Sequence, residues 1–372
     1  MNSSFYHPIK SSLKVFLVGI SVFYFSCAEA QQPKSSSDLY FPANDSQVWE
    51  KQPLAGLGWN QTELAEFLAW LPEQDTRALI ILKDGKIVLE EYWGNKLTGL
   101  GNMDKDSYWY WASAGKTLSA AMMGIAIQEN QLRLEDPTQK YLGEGWTSMT
   151  NEQEKEIKVF HHLTFTTGIN DNVDNLDNTE PSSFRYLAAP GTRWSYHNGT
   201  YTVLDRVLQN ATGQDYQSYF EEKIGNKIGM KGIWQDMGYN NVFYSDARSF
   251  ARFGLFLLAK GNWGGNQILN ESYFQSMIQS SQKQNLSYGY LTWLNGKNSH
   301  MLPGFQGVLP GSMIPSGPQD MFQAMGKNGQ FLMIVPSKNL VIVRMGGAPG
   351  DLPVPYLLAR QMWDRLFKII TE

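Results

Sequence analysis

The chain has 372 residues, of which 42% are apolar and 13% aromatic, so it can fill the core of one large domain or two modest ones. Its formal charge of −4, without any Lys- or Arg-rich run, gives no basic surface of the kind that nucleic-acid-binding proteins use. No apolar stretch reaches the ~20 residues of a membrane-spanning helix. We therefore expect a globular protein with neither a nucleic-acid partner nor a transmembrane span.

Residues 1–30 have the pattern of a secretory signal peptide. Lys10 and Lys14 precede the apolar run Val15 to Phe25, and Ala28-Glu29-Ala30 places small residues at the two positions that a signal peptidase reads. We expect cleavage before Gln31 and export to the periplasm or the medium.

Cys27 leaves an alternative open, because a cysteine near the end of a signal peptide can be lipidated and anchor a lipoprotein. The bulky Tyr24 and Phe25 fit that recognition site poorly. Cys27 is the only cysteine, so a chain cleaved after Ala30 has no disulfide, no thiol nucleophile and no thiolate metal site.

After the signal peptide, the composition predicts a tether and irregular lead-in over 31–58 and one domain over 59–372. Apolar spacing predicts a helix over Asn60 to Leu71, with Asn60 and Glu63 as a capping box. Two β-rich runs, Ala78 to Leu82 and Ile87 to Trp93, flank an Asp-Gly pair and predict a hairpin.

From about 110 to 280 the pattern changes to helices separated by long loops. Helices are predicted over Thr117 to Gln128, over Tyr201 to Ala211 with Gly213 as the stop, and over Ser245 to Ala259 with Ser245 as the N-cap.

Strands return at Met321 to Met325, Gln330 to Val335 and Leu340 to Met345, and Val354 to Ile370 closes the chain as a helix. The order predicts an α+β fold, in which one antiparallel sheet is flanked by the terminal helices and a mostly helical lobe is inserted. A cleft between sheet and lobe is the natural place for a site.

Ser113 and Lys116 are the first candidates for chemistry, because a spacing of three residues on a helix puts hydroxyl and amine on one face. A serine needs a neighbouring base to become a nucleophile, and an amine accepts its proton only when the site lowers the amine pKa. The spacing alone is weak evidence, since it recurs at Ser11/Lys14 and Ser280/Lys283.

Two further triplets follow in order: Tyr196-His197-Asn198, within the stretch PGTRWSYHN, and Lys327-Asn328-Gly329, between two predicted strands. Together with Ser113-x-x-Lys116 they resemble the motifs of the serine β-lactamase and penicillin-binding-protein superfamily, in its class C-like branch. That branch includes family VIII esterases, D-amino-acid-directed peptidases and 6-aminohexanoate-dimer hydrolases. The segments 163–169 (LTFTTGI) and 247–254 (ARSFARFG) are also similar to segments of this branch.

The resemblance implies a β-lactamase/transpeptidase-like fold and a role for each motif residue. Ser113 would be the nucleophile, Lys116 the amine that shares its proton, and Tyr196 the phenolic acid/base that also serves deacylation. Lys327 would be a further cation that favours a neutral amine and a phenolate. Asn198 would hold Lys116 or the substrate carbonyl.

The oxyanion hole would use the backbone N–H groups of Ser113 and of Gln330, which follows Gly329. Asn328 stands where related β-lactamases carry a Thr or Ser that grips the substrate carboxylate. This difference favours an ester or amide over a β-lactam as substrate.

The sequence therefore predicts an exported serine hydrolase that forms an acyl-enzyme at Ser113 on a small ester or amide, with no cofactor and no metal. A β-lactamase or D-alanyl-D-alanine-type peptidase is the alternative, and a penicillin-binding-like sensor without turnover is a third possibility. The oligomeric state stays open. So does Trp109-Tyr110-Trp111, which would either line an aromatic pocket or anchor the helix start in the core.

Overall fold

The computed structural model describes residues 39–348 and 355–370. The predicted signal peptide, Cys27, residues 31–38 of the predicted tether and Val354 lie outside these ranges. None of the helices within them is long and apolar enough to cross a membrane.

The helices, in chain order, are α1 (Gln61–Glu73), α2 (Gly115–Gln128), α3 (Gln139–Leu142), α4 (Asn151–Lys155), α5 (Val159–Leu163), α6 (Asn198–Thr212), α7 (Tyr216–Phe220), α8 (Asn226–Ile228), α9 (Ala247–Leu258), α10 (Glu271–Met277) and α11 (Tyr356–Ile369). The strands are β1 (Thr76–Lys83), β2 (Lys86–Tyr92), β3 (Trp109–Tyr110), β4 (Ile233–Met237), β5 (Asn240–Ser245), β6 (Asn262–Trp263), β7 (Asn266–Gln267), β8 (Trp293–Leu294), β9 (Ser299–Leu302), β10 (Phe305–Pro310), β11 (Phe322–Gly326), β12 (Gln330–Val335) and β13 (Leu340–Gly346).

The central sheet has six antiparallel strands in the order β2-β1-β13-β12-β11-β8. This confirms that the first and last predicted strands share one sheet, to which the short β8 adds an edge. The β1–β2 turn contains Asp84 and Gly85, both with positive φ (51° and 83°), as a two-residue hairpin requires.

Helices cover both faces of the sheet. On one face, Gly254 of α9 lies so close to Leu332 and Val341 that a Cβ at this glycine would be 2.6 and 2.4 Å from their side chains. On the other face, Trp363 of α11 donates its indole N–H to the Met333 sulfur at 3.2 Å. Adjacent residues of β12 thus contact different layers, as strand alternation dictates.

Two predicted helix starts have different outcomes. Asn60 caps α1, since its side chain accepts from the backbone N–H groups of Thr62 and Glu63. The prediction of Ser245 as the N-cap of α9 is wrong: Asp246 is the cap and accepts from the Ser249 N–H at 2.6 Å. Ser245 is instead the last residue of β5, where it pairs with Trp109.

The inserted lobe is mostly helical, as expected, but it also contains a small sheet in the order β3-β5-β4. The sequence analysis missed this hairpin because β4 (IWQDM) is short and largely exposed and lacks the apolar alternation that marks a strand.

Residues 39–58 pack against the domain. The Tyr40 and Gln52 N–H groups donate to the carbonyls of Asp84 and Ile87, and buried Trp49 donates its indole N–H to the Gly85 carbonyl. The guanidinium of Arg252 in α9 donates to backbone carbonyls of this segment, at Ala43 (3.0 Å) and Ser46 (2.9 Å).

Arg344 of β13 is fully buried and joins three segments of the chain. Its guanidinium donates to the Thr76 hydroxyl and to the backbone carbonyls of Gln74, Asn328, Gly329 and Gly347. These bonds fix the β11–β12 turn against the start of β1.

We predict that Arg344→Met lowers the free energy of unfolding by about 3–5 kcal/mol, because it removes the guanidinium donor from four buried or partly buried carbonyl groups. Urea unfolding measures the change. Arg360→Met is the matched control: Arg360 donates to a single carbonyl, that of Met313, so its loss should cost about 1 kcal/mol. Equal losses in the two variants would contradict this account.

Candidate active site

Ser113 lies in the turn Ala112–Ala114, which runs directly into α2. Ala112 has φ 48°, a left-handed conformation that residues with a Cβ seldom adopt. The turn is anchored by Trp111, which is fully buried, stacks on Phe250 with 3.8 Å between ring centroids and donates its indole N–H to Ser245. Local strain and a buried anchor thus fix the position of the serine.

The Lys116 ammonium lies 2.9 Å from the Ser113 hydroxyl oxygen, one turn along the same face. Burial lowers the Lys116 pKa to about 7, although the carboxylates of Asp177 and Asp205 act to raise it. A lowered amine pKa is what the sequence analysis required. Its cause is desolvation, and the predicted contribution of Lys327 is absent from the groups that act on this pKa.

Tyr196 packs against Lys116, with its ring centroid 5.2 Å from the lysine nitrogen. The ring lies among aromatic side chains, stacked on Trp293 at 6.0 Å and tilted against Phe165 at 4.5 Å. Burial raises the pKa of the phenol, and a hydrogen bond with Ser113 only partly offsets this. At neutral pH Tyr196 is therefore a phenol, and the phenolate expected from the sequence is disfavoured.

Asn198 begins α6 and lines the cleft. Its amide donates to the Asp177 carboxylate at 2.7 Å, which orients the side chain. The amide oxygen is buried and has no hydrogen-bond partner among the described residues. The hydrogen bond from Lys116 that the sequence suggested for Asn198 is therefore not formed at this oxygen.

Strand β11 passes very close to the turn that carries the serine. A Cβ added to Gly326 would lie 2.2 Å from the Trp111 carbonyl oxygen and 3.0 Å from the Ala114 nitrogen, so only glycine fits here. This contact brings the end of β11 beside Ser113.

Met325 presents its backbone to the open edge of the same strand. The Asn295 N–H donates to the Met321 carbonyl across the β8 edge, and Gln323 pairs with Trp293. Because hydrogen-bonding direction alternates along an antiparallel ladder, the Met325 backbone faces the same edge, beyond Trp293, the first residue of β8. Met325 and Ser113 both line the cleft.

The Lys327-Asn328-Gly329 triplet forms the tight turn between β11 and β12, and only Lys327 lines the cleft, where it is exposed. The Asn328 amide donates to the Tyr110 hydroxyl at 2.7 Å, and Gly329 packs against Arg344. Gln330 is buried, and its side-chain amide bonds the Gly346 backbone. The structure therefore does not bring Asn328, Gly329 or Gln330 to the cleft surface.

The aromatic triplet before the serine belongs to the core and to supporting contacts. Trp109 and Trp111 are buried, and Tyr110 holds Asn328. None of the three lines the cleft.

The cleft has a volume of about 290 Å³ and a mostly apolar wall. Its lining consists of Ser113, Leu176, Tyr196, Asn198, Trp293, Leu302, Pro303, Gly304, Met313, Met325, Gly326, Lys327, Pro355 and Tyr356. Sequence analysis identified the four of these that belong to the motifs, Ser113, Tyr196, Asn198 and Lys327. The apolar wall comes from loops and strand ends that carry no motif, so only the tertiary structure could reveal it. Within the described residues, no group of three His, Cys, Asp or Glu side chains is placed to hold a metal ion.

Comparison with known proteins gives a family match and a set of similar folds. A model of the β-lactamase family matches residues 73–362. An uncharacterized protein of Alkalihalophilus pseudofirmus is 25% identical over 74% of this chain and 84% of its own length. A D-aminopeptidase of Brucella anthropi is 27% identical over 41% of this chain, but the match spans only 31% of that protein.

Solved structures share the fold at low sequence identity. A Bacillus anthracis protein described as a 6-aminohexanoate-dimer hydrolase superposes with a TM-score of 0.66, at 18% identity, over 90% of this chain and 89% of that one. The hydrolase EstCE1, which has promiscuous acyltransferase activity, superposes with a TM-score of 0.62, at 14% identity, over 82% of this chain and 99% of that one.

We predict that Gly326→Ala slows covalent labelling of Ser113 by a fluorophosphonate about 100-fold or more, because the added methyl group pushes β11 away from the serine turn. The rate of adduct formation measures the effect. Gly56→Ala is the control, since a Cβ at Gly56 meets no atom within 4 Å and should leave the rate unchanged. An unchanged rate in a folded Gly326→Ala protein would show that the contact does not position the site.

Proposed function

Because this chain belongs to the β-lactamase family, whose members are serine hydrolases that act on ester or amide bonds, we propose that it forms an acyl-enzyme at Ser113 on a small ester or amide. The observation that carries the proposal is the 2.9 Å contact between Ser113 and Lys116, whose pKa of about 7 leaves much of the amine neutral at neutral pH.

In acylation, neutral Lys116 accepts the Ser113 proton as the serine oxygen attacks the substrate carbonyl. Tyr196, which is a phenol, donates its proton to the departing alcohol or amine. The tyrosine then takes a proton from the Lys116 ammonium, which lies against its ring. This restores neutral amine and phenol at the end of the step.

In deacylation, a water molecule replaces the leaving group and attacks the acyl carbonyl while Lys116 accepts its proton. Lys116 takes the place of Tyr196, which the sequence suggested for this step, because burial keeps Tyr196 protonated. Ser113 departs as the alcohol when that proton returns to its oxygen. The acid product and the free enzyme result, with all protons accounted for.

The negative charge that develops on the carbonyl oxygen needs two backbone donors. The Ser113 N–H is one. For the second we propose the Met325 N–H in place of that of Gln330, because Met325 lines the cleft and presents its backbone at an open strand edge.

The lining of the cleft supports a substrate with an apolar acyl or leaving group. Trp293, Leu302, Met313 and Tyr356 surround the serine, and a volume of about 290 Å³ suits a small molecule. Among proteins of similar fold, the 6-aminohexanoate-dimer hydrolase and EstCE1 fit a small amide or ester as the substrate class.

A peptidase or β-lactamase activity is the second candidate, and Lys327 favours it. The Lys327 side chain is exposed on the cleft wall and forms no ion pair within 39–348 and 355–370. An ammonium in this position suits the free carboxylate of a D-alanyl peptide or a β-lactam.

Export of the protein is also part of the proposal. It is supported by the basic and apolar segments and the Ala28-Glu29-Ala30 site of the first 30 residues.

We predict that a fluorophosphonate gives a single adduct, on the peptide that contains Ser113, because Lys116 activates only this hydroxyl. Intact and peptide mass spectrometry measure the product. Ser113→Ala should give none, and Ser280, which also precedes a lysine by three residues, serves as an internal control. No adduct on Ser113, or equal labelling of other serines, would refute the acyl-enzyme proposal.

We predict that p-nitrophenyl butyrate is hydrolysed with a higher kcat/KM than nitrocefin or a D-Ala-D-Ala peptide, because the cleft wall is mostly apolar. Lys327→Met should raise KM about tenfold for the two carboxylate substrates and leave the ester unaffected. Efficient turnover of nitrocefin or of the peptide, sensitive to Lys327→Met, would establish the second candidate instead.

A further inference from the structure

A carboxylic acid lies buried in the helix that follows the tyrosine motif. Asp205 of α6 is 6% exposed. One carboxylate oxygen accepts from the Asn241 amide at 3.1 Å. The other is buried with no donor at hydrogen-bond distance among the described residues, although the Tyr216 hydroxyl is near enough to lower the Asp205 pKa. A carboxylate in this state is poorly solvated, and the proposed chemistry does not use it directly.

Hydroxyl groups fill the region between α2, α6 and α7, next to Lys116. Ser119 follows Lys116 by three residues on α2, and its oxygen lies 3.0 Å from the Tyr201 hydroxyl. The Tyr216 hydroxyl donates to the same oxygen at 2.7 Å. The Lys116 ammonium lies over the Tyr201 ring, 4.5 Å from its centroid. Lysine and hydroxyl groups thus share one buried polar region.

Asp205 is coupled to Lys116 electrostatically. Its charge acts to raise the Lys116 pKa, and the charge of Lys116 acts to lower that of Asp205. Burial lowers the pKa of Lys116 and raises the pKa of Asp205, and so brings each to about 7. Asp205 also lies one turn after Tyr201 on α6, and the Lys116 nitrogen lies over the Tyr201 ring, so the two groups titrate as a coupled pair.

Charged and titratable groups face this pair from every neighbouring element. They are the Ser113 hydroxyl in the turn before α2, the Ser119 hydroxyl on α2, Tyr196 before α6, Tyr201 on α6, Tyr216 on α7, Asp177 in the loop before α6, and Asp236 on β4, which acts on Asp205. Asp177 also acts on Lys116, but it is partly exposed and holds Asn198. Asp205 is therefore the carboxylate whose substitution leaves the cleft lining intact.

We propose that Asp205 is a positioning residue that sets the charge of Lys116: protonated Asp205 leaves the amine neutral and ready to accept the Ser113 proton, and ionised Asp205 holds it as an ammonium. The two charge states hold the same number of protons, because the ammonium and carboxylate together carry as many as the amine and carboxylic acid. The inference rests on the proposed acyl-enzyme function, in which Lys116 is the base.

The consequence is a defined pH dependence of acylation. The acylation rate rises with pH as Lys116 loses its proton. Ionised Asp205 raises the pH at which that proton is lost. Without the carboxylate, Lys116 becomes neutral at a lower pH, so the acid limb of the pH–rate profile should shift downward.

The test measures the second-order rate constant of Ser113 labelling by a fluorophosphonate from pH 4.5 to 9. For Asp205→Asn, which preserves the size of the side chain, we expect the acid limb to move about 1 pH unit lower with the plateau rate retained. For Asp205→Glu, which keeps the charge, the acid limb of the pH–rate profile should lie close to that of the wild-type protein. Asp174→Asn is the matched control: it removes one exposed carboxylate of the loop before α6 and should not shift the limb.

If Asp205→Asn does not fold, Asn241→Ala serves in its place. Loss of the Asn241 donor raises the Asp205 pKa, so the limb should shift in the same direction by a smaller amount. An unchanged limb with a uniformly lower rate would show that Asp205 is merely structural, while the acyl-enzyme proposal would stand. Absence of labelling in the wild-type protein at every pH would overturn both.

Discussion

The site depends on one backbone contact, the approach of Gly326 to the carbonyl of Trp111. On one side of it stands a six-stranded sheet whose short edge strand, β8, pairs only with the start of β11 and leaves the end of β11 open. On the other side stands a strained turn, held by a tryptophan in the core of the helical lobe. Neither half contains a complete site, so the packing of sheet against lobe decides whether serine, amine and oxyanion donors face one substrate.

Desolvation is the second determinant, and it acts on acid and base together. It favours the neutral form of every buried titratable group, so the same burial gives Lys116 a free lone pair and leaves Tyr196 its proton. A proton acceptor and a proton donor thus stand side by side, and no cation is among the described groups that shift their pKa values. The carboxylates of Asp177 and Asp205 oppose the effect at Lys116 and keep its pKa close to neutrality rather than far below it.

Much of this was readable from the sequence. The strands of the central sheet carry strong apolar or turn signals, and the serine, lysine and tyrosine motifs stand in an order that indicates the family. The errors have physical causes. The motif Lys327-Asn328-Gly329 predicts a segment that lines the cleft. Asn328, however, has φ 64° and turns its side chain to Tyr110, away from the cleft.

Other features had no sequence signal at all. The donor proposed at Met325 is a backbone amide, which no residue type indicates, and Asp205 has the sequence context of any polar residue in an amphipathic helix. The observed N-cap of α9 is one residue after the predicted one. Both Ser245 and Asp246 are good capping residues, but Ser245 pairs with Trp109 in the small sheet. Three-dimensional proximity decided each case.

The packing of residues 39–58 bears on where this domain physically starts. The Arg252 guanidinium is buried, and two of the carbonyls that accept its hydrogen bonds belong to Ala43 and Ser46, which precede the boundary drawn at residue 59 from composition. A fragment that began at residue 59 would keep the whole cleft lining, but Arg252 of α9 would lose these two acceptors and keep the Ile228 carbonyl, and α9 is the helix that supports Trp111 through Phe250. The segment that looks like a tether thus supports the position of Ser113 indirectly, because it contacts α9 and α9 holds Trp111 beside the serine turn.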